Sequence, residues 1–251
     1  MNNPDERLRQ YLKTMKLRFI RDHYPQVLEQ ASREQWSHLD LLLRLIEGEA
    51  QCRADNALRR RLKAARFPAL KTLDTFDWSW PREINRPLVQ DFFRLAWVPE
   101  HGNVIFLSGV GLGKTHLSIA LAYTACLAGY SALFTTAIEV IQTLAAAQAA
   151  HRLKAEIKKY LKPQVLVLDE IGYLPIDKQG ADLLFQVVSQ RYEHGAMILT
   201  TNQAPKYWAK VFNNDSTLAS ALLDRLLHHG HMAIIKGKSY RMKDRIADEH
   251  E

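Results

Sequence analysis

Residues 108–116, SGVGLGKTH, come directly after the apolar run VIFL and open a helical stretch. A glycine-rich turn between a strand and a helix is a phosphate cradle, and it constrains this chain more than any other feature. Its backbone N–H groups point inward at phosphate oxygens, and the positive end of the helix dipole adds to the attraction. Gly109, Gly111 and Gly113 permit backbone angles and a close approach that a side chain would block. Lys114 would reach the β- and γ-phosphates of a nucleotide, and the Thr115 hydroxyl would hold Mg²⁺. Ser108, Val110, Leu112 and His116 complete the predicted loop contacts. Ser108 stands where this pattern ordinarily has Gly, and a small residue still fits.

A second signal is VLVLDE, residues 165–170. An apolar strand ending in a carboxylate delivers it to the C-terminal edge of a sheet, where open α/β folds bind ligands. Asp169 would orient Mg²⁺ and its waters, and Glu170 would polarise an attacking water as general base. The adjacent Asp-Glu pair favours hydrolysis over transfer to an acceptor. The run MILTT ends at Asn202, whose amide could position the lytic water, although an Asn before Gln-Ala-Pro also reads as a turn residue. Arg225, in ALLDRLLHH, is a candidate for reaching a neighbour's γ-phosphate in trans. A surface salt bridge is the plainer reading of it, and Arg191 is a second candidate. His228, His229 and His231 have no Cys or acid at zinc-ligand spacing, so the sequence predicts no zinc site.

From residue 103 short apolar runs alternate with helical ones. The strands are predicted over 103–107, 131–136, 165–169, 197–201 and 232–237. This rhythm predicts an α/β fold, a five-stranded parallel sheet with helices on both faces. Residues 138–163 are long enough for two helices, and the second carries Arg152, Lys154, Lys158 and Lys159. Ahead of the sheet, Leu8, Leu12, Met15 and Phe19 make one helical stripe. A second helix is predicted from an N-cap at Ser37 to just before Pro68, with Gly48 the position at which it could break. Four prolines between 67 and 100, with Phe76, Trp78, Trp80, Phe92, Phe93 and Trp97 among them, read as a linker that docks on the following domain, with a short helix around 86–96. The predicted organisation is therefore a small all-α domain over 1–70, a docking segment over 71–102, and the α/β domain over 103–251.

Charge follows that division. The chain of 251 residues carries a net +7, and its first 71 residues hold 15 Lys and Arg against 9 acids. The other 180 residues are close to neutral, with 19 bases and 18 acids. A basic arm of this kind suits a polyanion, and a solvated helical face is the alternative. No apolar run approaches the roughly 20 residues of a membrane span, and MNNPDERLRQ has no signal-peptide core. Cys52 and Cys126 lack metal-ligand spacing, which with the absent leader predicts a cytoplasmic protein with reduced thiols and no membrane partner.

Taken in order, NVIFLSGVGLGKTHLSIAL, VLVLDEIGYLP, QRYEHGAMILTTN and ALLDRLLHHGHMAIIKGKSYRMK resemble the IstB family. These are ATP-binding helpers of insertion-sequence transposons, related to the DnaC helicase loaders. The resemblance covers roughly residues 5–243 and implies an AAA+ P-loop ATPase of the initiator clade, using ATP and Mg²⁺. It further implies non-specific binding to duplex DNA, self-assembly into a homo-oligomer, and stimulation of a partner transposase. By motif, Lys114 and Thr115 match Walker A, Asp169 and Glu170 Walker B, Asn202 sensor 1, and Arg225 the arginine finger. Residues 138–163 match the extra helix that faces DNA, and no helical lid is expected after residue 243. Val110 departs from the Pro common in this loop. A replicative helicase loader with the same ATPase core is the alternative reading. A small-molecule kinase is disfavoured by the Asp-Glu pair, the Asn sensor and the basic N-terminus.

Overall fold

The computed structural model describes residues 3–242, and the expectation about a lid after residue 243 lies outside them. The chain divides into two compact units, Met1–Arg60 and Arg61–Glu251. The division falls inside a continuous helix, where no proline or glycine marks it.

In the first unit the predicted single stripe is two helices, α1 (Pro4–Thr14) and α2 (Arg18–Arg33). The break lies at Lys16, which adopts φ +56, and the Lys16 and Leu17 amides close back onto the carbonyls of Lys13 and Leu12. Leu8 and Met15 are consequently exposed, and Leu12, Ile20 and Tyr24 make a small core. Helix α3 (His38–Ala65) begins after Ser37, whose hydroxyl accepts the Asp40 amide at 3.1 Å. Gly48 does not interrupt α3. It gives room to a ring, since a Cβ there would run into the Phe19 side chain. The N-terminus of α2 has no cap of its own, and the buried Glu49 carboxylate accepts the Phe19 amide at 2.8 Å in its place.

The second unit is built on a six-stranded sheet, one strand more than the pattern predicts. Five strands are parallel or paired to parallel neighbours: β2 (Asn103–Ser108), β3 (Ala132–Thr136), β4 (Val165–Ile171), β5 (Ala196–Thr201) and β6 (Gly230–Lys236). The sixth is β1 (Glu83–Ile84), which lies antiparallel on β6 with Glu83 opposite Lys236. The order is β1-β6-β2-β5-β4-β3. Two residues are too short for alternation to be visible in sequence, so β1 reads as linker. The Lys236 ammonium donates to the Glu83 carboxylate at 2.9 Å and ties the pair at the sheet edge.

Alternation along the strands sorts the two faces. Ile105, Leu166, Leu168, Met197 and Leu199 join one core with α6 (Ala137–Ala149), α7 (Leu153–Leu161), α8 (Lys178–Arg191), α9 (Trp208–Val211) and α10 (Ser216–His228). Helix α5 (Lys114–Leu127) packs on strands β2 to β5, and α4 (Arg86–Phe92) sets Phe92 edge-on to Phe106. Residues 138–163 thus form two helices, α6 and α7. Among the described residues no helix is long and apolar enough to cross a membrane.

Counted by unit, the basic excess shifts its address. Residues 1–60 hold 11 bases and 9 acids, and Arg61, Lys63, Arg66 and Lys71 belong to the second unit. The basic run is therefore a property of the second half of α3 more than of the helical unit as a whole.

Candidate functional site

The parallel strands put β2, β4 and β5 side by side, so their C-terminal ends form one platform. The phosphate loop leaves β2 at Ser108 and enters α5 at Lys114. Gly111 and Gly113 take φ +73 and +84, left-handed angles that side chains resist. Both are also closely covered: a Cβ on Gly111 would run into Ser239 Oγ, and one on Gly113 would meet Phe76 at 2.6 Å. Gly109 is different. It needs no special angle, and an added Cβ would have only Leu112 at 3.8 Å, so nothing in the fold itself demands glycine there.

Lys114 is buried and its ammonium donates to the Gly109 carbonyl at 2.7 Å, the Ser108 carbonyl at 3.0 Å and Ser108 Oγ at 3.2 Å. The hydroxyl that replaces the usual glycine thus helps to hold the lysine. Burial pushes the Lys114 pKa down, and the nearby Asp169 carboxylate opposes that shift. Thr115 Oγ1 lies 3.1 and 3.2 Å from the two Asp169 oxygens. Two hard oxygen donors, one carboxylate and one hydroxyl, suit a magnesium ion bound together with phosphate oxygens. Asp169 is nearly fully buried; desolvation raises its pKa, against hydrogen bonds from Thr200 and Thr115 and the charge of Lys114.

Glu170 follows at a break in the ladder. The β4–β5 register shifts between Leu168 and Ile171, and Glu170 adopts φ +62. Such a backbone costs about 1–3 kcal/mol in a non-glycine residue and re-aims its side chain. Here it turns the carboxylate to the exposed side, where Glu170 lines the same cavity as the loop. The bulge frees the Glu170 amide from the strand ladder, and Thr200 Oγ1 accepts it at 2.9 Å. The same hydroxyl donates to Asp169 Oδ1. Thr200 is fully buried on β5 and links the two carboxylate residues. The sequence gives it no distinction, because in MILTTN it looks like one more β-branched strand residue.

The cavity has a volume of about 480 Å³, with Lys114, Thr115, Glu170 and Thr200 on its floor. Its wall comes from the segment expected to be a docking linker: Phe76, Trp80 and Pro81, facing Tyr240 and Arg241. Phe76 is buried on Gly113, Trp80 packs edge-on to Tyr240, and the Tyr240 amide donates to the Gly111 carbonyl at 2.8 Å. His116 Nε2 lies 2.9 Å from the Thr72 carbonyl, and burial lowers its pKa. Apolar walls with a polar phosphate floor fit a nucleotide, base outward and phosphates on the loop.

The remaining predicted residues lie apart from this floor. Val110 is exposed and does not line the cavity, whereas Leu112 is buried and does. Asn202 follows β5 and its Oδ1 is buried without a hydrogen-bond partner among the described residues. Arg225 is far away. Asn103, at the start of β2, donates to the Leu226 and Arg225 carbonyls at 3.1 and 3.5 Å, which places the last turn of α10 at the opposite end of the strand from Ser108. Six strand residues put about 16 Å between those ends, so Arg225 cannot serve its own phosphate loop. Its guanidinium lies over the Phe185 ring at 5.0 Å. Arg191 is 1% exposed and donates to the carbonyls of Tyr160, Pro163, Gln164 and Ala196. Burial lowers its pKa to about 10, which leaves it a cation at neutral pH. It is a structural pin with no free face for a neighbour.

Residues 10–247 match the family model described as IstB-like ATP binding protein. A Pseudomonas aeruginosa protein named for ATP binding in insertion sequence IS21 is 39% identical over 93% of this chain and 88% of its own length. Its counterpart for IS232 from Bacillus thuringiensis subsp. berliner is 36% identical, with both chains covered completely. Among solved structures, the DnaC helicase loader shares the fold with a TM-score of 0.54 at 21% identity, over 66% of this chain and 96% of that one. AMPPCP-bound DnaA from Aquifex aeolicus gives 0.56 at 19%, over 73% of this chain and 55% of that one. The glycine cradle, the buried Lys114 and the Asp169–Glu170 bulge at adjacent strand ends thus make an ATP-binding site on a fold shared with these proteins, and the chain belongs to the family of IstB-like ATP binding proteins.

Proposed function

We propose that ATP binding at this site drives assembly of the protein on duplex DNA, where the assembly recruits or stimulates the transposase of an insertion sequence. The observation that carries the reading is full-length similarity to insertion-sequence proteins, joined to a site whose candidate arginine finger lies at the wrong end of its own sheet. A helicase-loader role rests on fold likeness alone.

Each residue has a role in this reading. The loop amides and Lys114 hold the β- and γ-phosphates, and Thr115 with Asp169 holds Mg²⁺, which would supply charge neutralisation on the phosphates. Glu170 takes a proton from the attacking water, and Asn202 orients that water. Arg225 reaches the γ-phosphate of a neighbouring copy, so hydrolysis depends on self-assembly. Thr200 keeps Asp169 and Glu170 in register with each other. Replacing it by Val removes one donor and leaves the Glu170 amide without its acceptor, at a cost of about 1–3 kcal/mol. Steady-state kinetics of Thr200→Val should show kcat reduced by about tenfold or more with KM for ATP little changed, and Thr200→Ser should recover most of it.

DNA would be met by exposed bases: Arg53, Arg59, Arg60 and Lys63 on α3, Arg66 just past its end, and Arg152, Lys154 and Lys158 around α7. Such contacts read phosphates and carry little sequence preference. A transposase would be met by the exposed apolar stripe Leu39, Leu42, Leu43 and Ile46 of α3. Free Cys52 and Cys126 are in keeping with a cytoplasmic setting. The test is fluorescence anisotropy on duplex DNA with ATP over a salt series, with ATP turnover followed in parallel. Binding should fall with a log–log slope of about −3 or steeper if three or more phosphates are neutralised, and turnover per chain should rise on adding DNA. A flat salt response with DNA-independent turnover contradicts the reading.

A further inference from the structure

At the N-terminal ends of β5 and β6, away from the phosphate loop, two histidines and a glutamate from different elements converge. We propose that Glu193, His228 and His229 form a binding site for a late first-row divalent cation, Zn²⁺ above all. One ligand atom from each lies within 4.8 Å of the other two, and all three residues are exposed. Two imidazoles and one carboxylate are a donor set that zinc takes with a water in the fourth position.

The backbone is what brings them together. Neighbours in a regular helix point in different directions. His228 is the last residue of α10, but His229 leaves the helix at φ −115, ψ 34, and its ring comes to 4.1 Å from that of His228, centroid to centroid. Glu193 adopts φ +60 in the turn after α8, and its Oε1 lies 3.7 Å from His229 Nε2. Arg191 makes that turn rigid. Its carbonyl accepts the His194 and Gly195 amides, both at 2.9 Å, while its guanidinium is pinned by the carbonyls described above. Gly195 lets it through, since a Cβ there would lie 2.6 Å from Arg191 Nη2.

An outer partner is also in place. Tyr192 OH lies 2.8 Å from His228 Nδ1. With that hydroxyl accepting from Nδ1–H, the lone pair of Nε2 is left for the metal, the arrangement in which ligating histidines are usually held. Metal–ligand bonds of about 2.0–2.2 Å require donor atoms about 3.3 Å apart, a closure that exposed side chains make by small rotations. A bound cation would tie the end of α8 to the end of α10, within a turn of Arg225.

The full-length protein, freed of metal, is titrated with Zn²⁺ by calorimetry and with Co²⁺ by visible absorption. A single equivalent per chain is expected. Glu193→Gln and the double variant His228→Ala/His229→Ala should each weaken binding at least about tenfold, Tyr192→Phe roughly tenfold, and His194→Ala, an exposed neighbour, not at all. Because the three side chains are exposed, metal-free variants should keep the wild-type Tm, and Zn²⁺ should raise Tm only where binding survives. Absence of a stoichiometric site, or affinity indifferent to Glu193 and the two histidines, overturns the proposal and returns the cluster to solvated surface.

Discussion

Glu170→Gln is expected to bind ATP as the wild type does and to hydrolyse it about 10²–10⁴-fold more slowly, the range that a general base contributes. That is about 3–5 kcal/mol of the barrier. The substitution keeps the size of the side chain and the exposed position that φ +62 gives it, so the fold and the Thr200 bond to the Glu170 amide are untouched. Single-turnover hydrolysis set beside equilibrium binding of labelled ATP reads the two effects separately. Equal loss of both would place Glu170 in binding instead of chemistry.

Lys114→Ala has the other large effect, and it acts earlier. The ammonium is buried within the loop, and its three hydrogen bonds all go to Ser108 and Gly109 oxygens, so it is already positioned where phosphates would be held. A charge-assisted hydrogen bond contributes about 1.5–3 kcal/mol, so ATP affinity should fall by about 10–100-fold for each phosphate oxygen the ammonium would have held. Every ATP-dependent step downstream should go with it, including assembly on DNA. Calorimetry with ATP and a non-hydrolysable analogue measures the first effect, and unchanged far-UV dichroism would show that the fold survives.

Much of this is legible in the chain itself. The loop 108–116 can be placed because strand, glycines and helix must follow one another in that order for the chemistry to work. The strands β2 to β6 stand out as apolar runs at crossover spacing. The rest is hidden for physical reasons. Strand β1 is two residues long and is defined by its partner, Lys236, more than by its own sequence. The break between α1 and α2 rests on a left-handed lysine, a conformation no residue type at that site foretells. Arg191 reads as a possible trans-acting group because arginines are seldom buried, yet the carbonyls of Tyr160, Pro163, Gln164 and Ala196 accept its guanidinium and make its burial favourable. Thr200 and the Glu193–His228–His229 cluster depend on side chains about 30 residues apart meeting across strand ends. Local pattern carries no trace of such meetings. The charge asymmetry is visible, but its division between units is not, because α3 runs through the boundary without a break.

The central claim is that ATP, before it is hydrolysed, drives assembly on DNA. Sedimentation velocity of the Glu170→Gln protein with duplex DNA tests it most directly, because that variant holds the ATP state. With ATP, the expected result is a fast-sedimenting complex containing many copies of the chain, absent with ADP and absent for Lys114→Ala. A protein that sediments identically with ATP, with ADP and without nucleotide would contradict it.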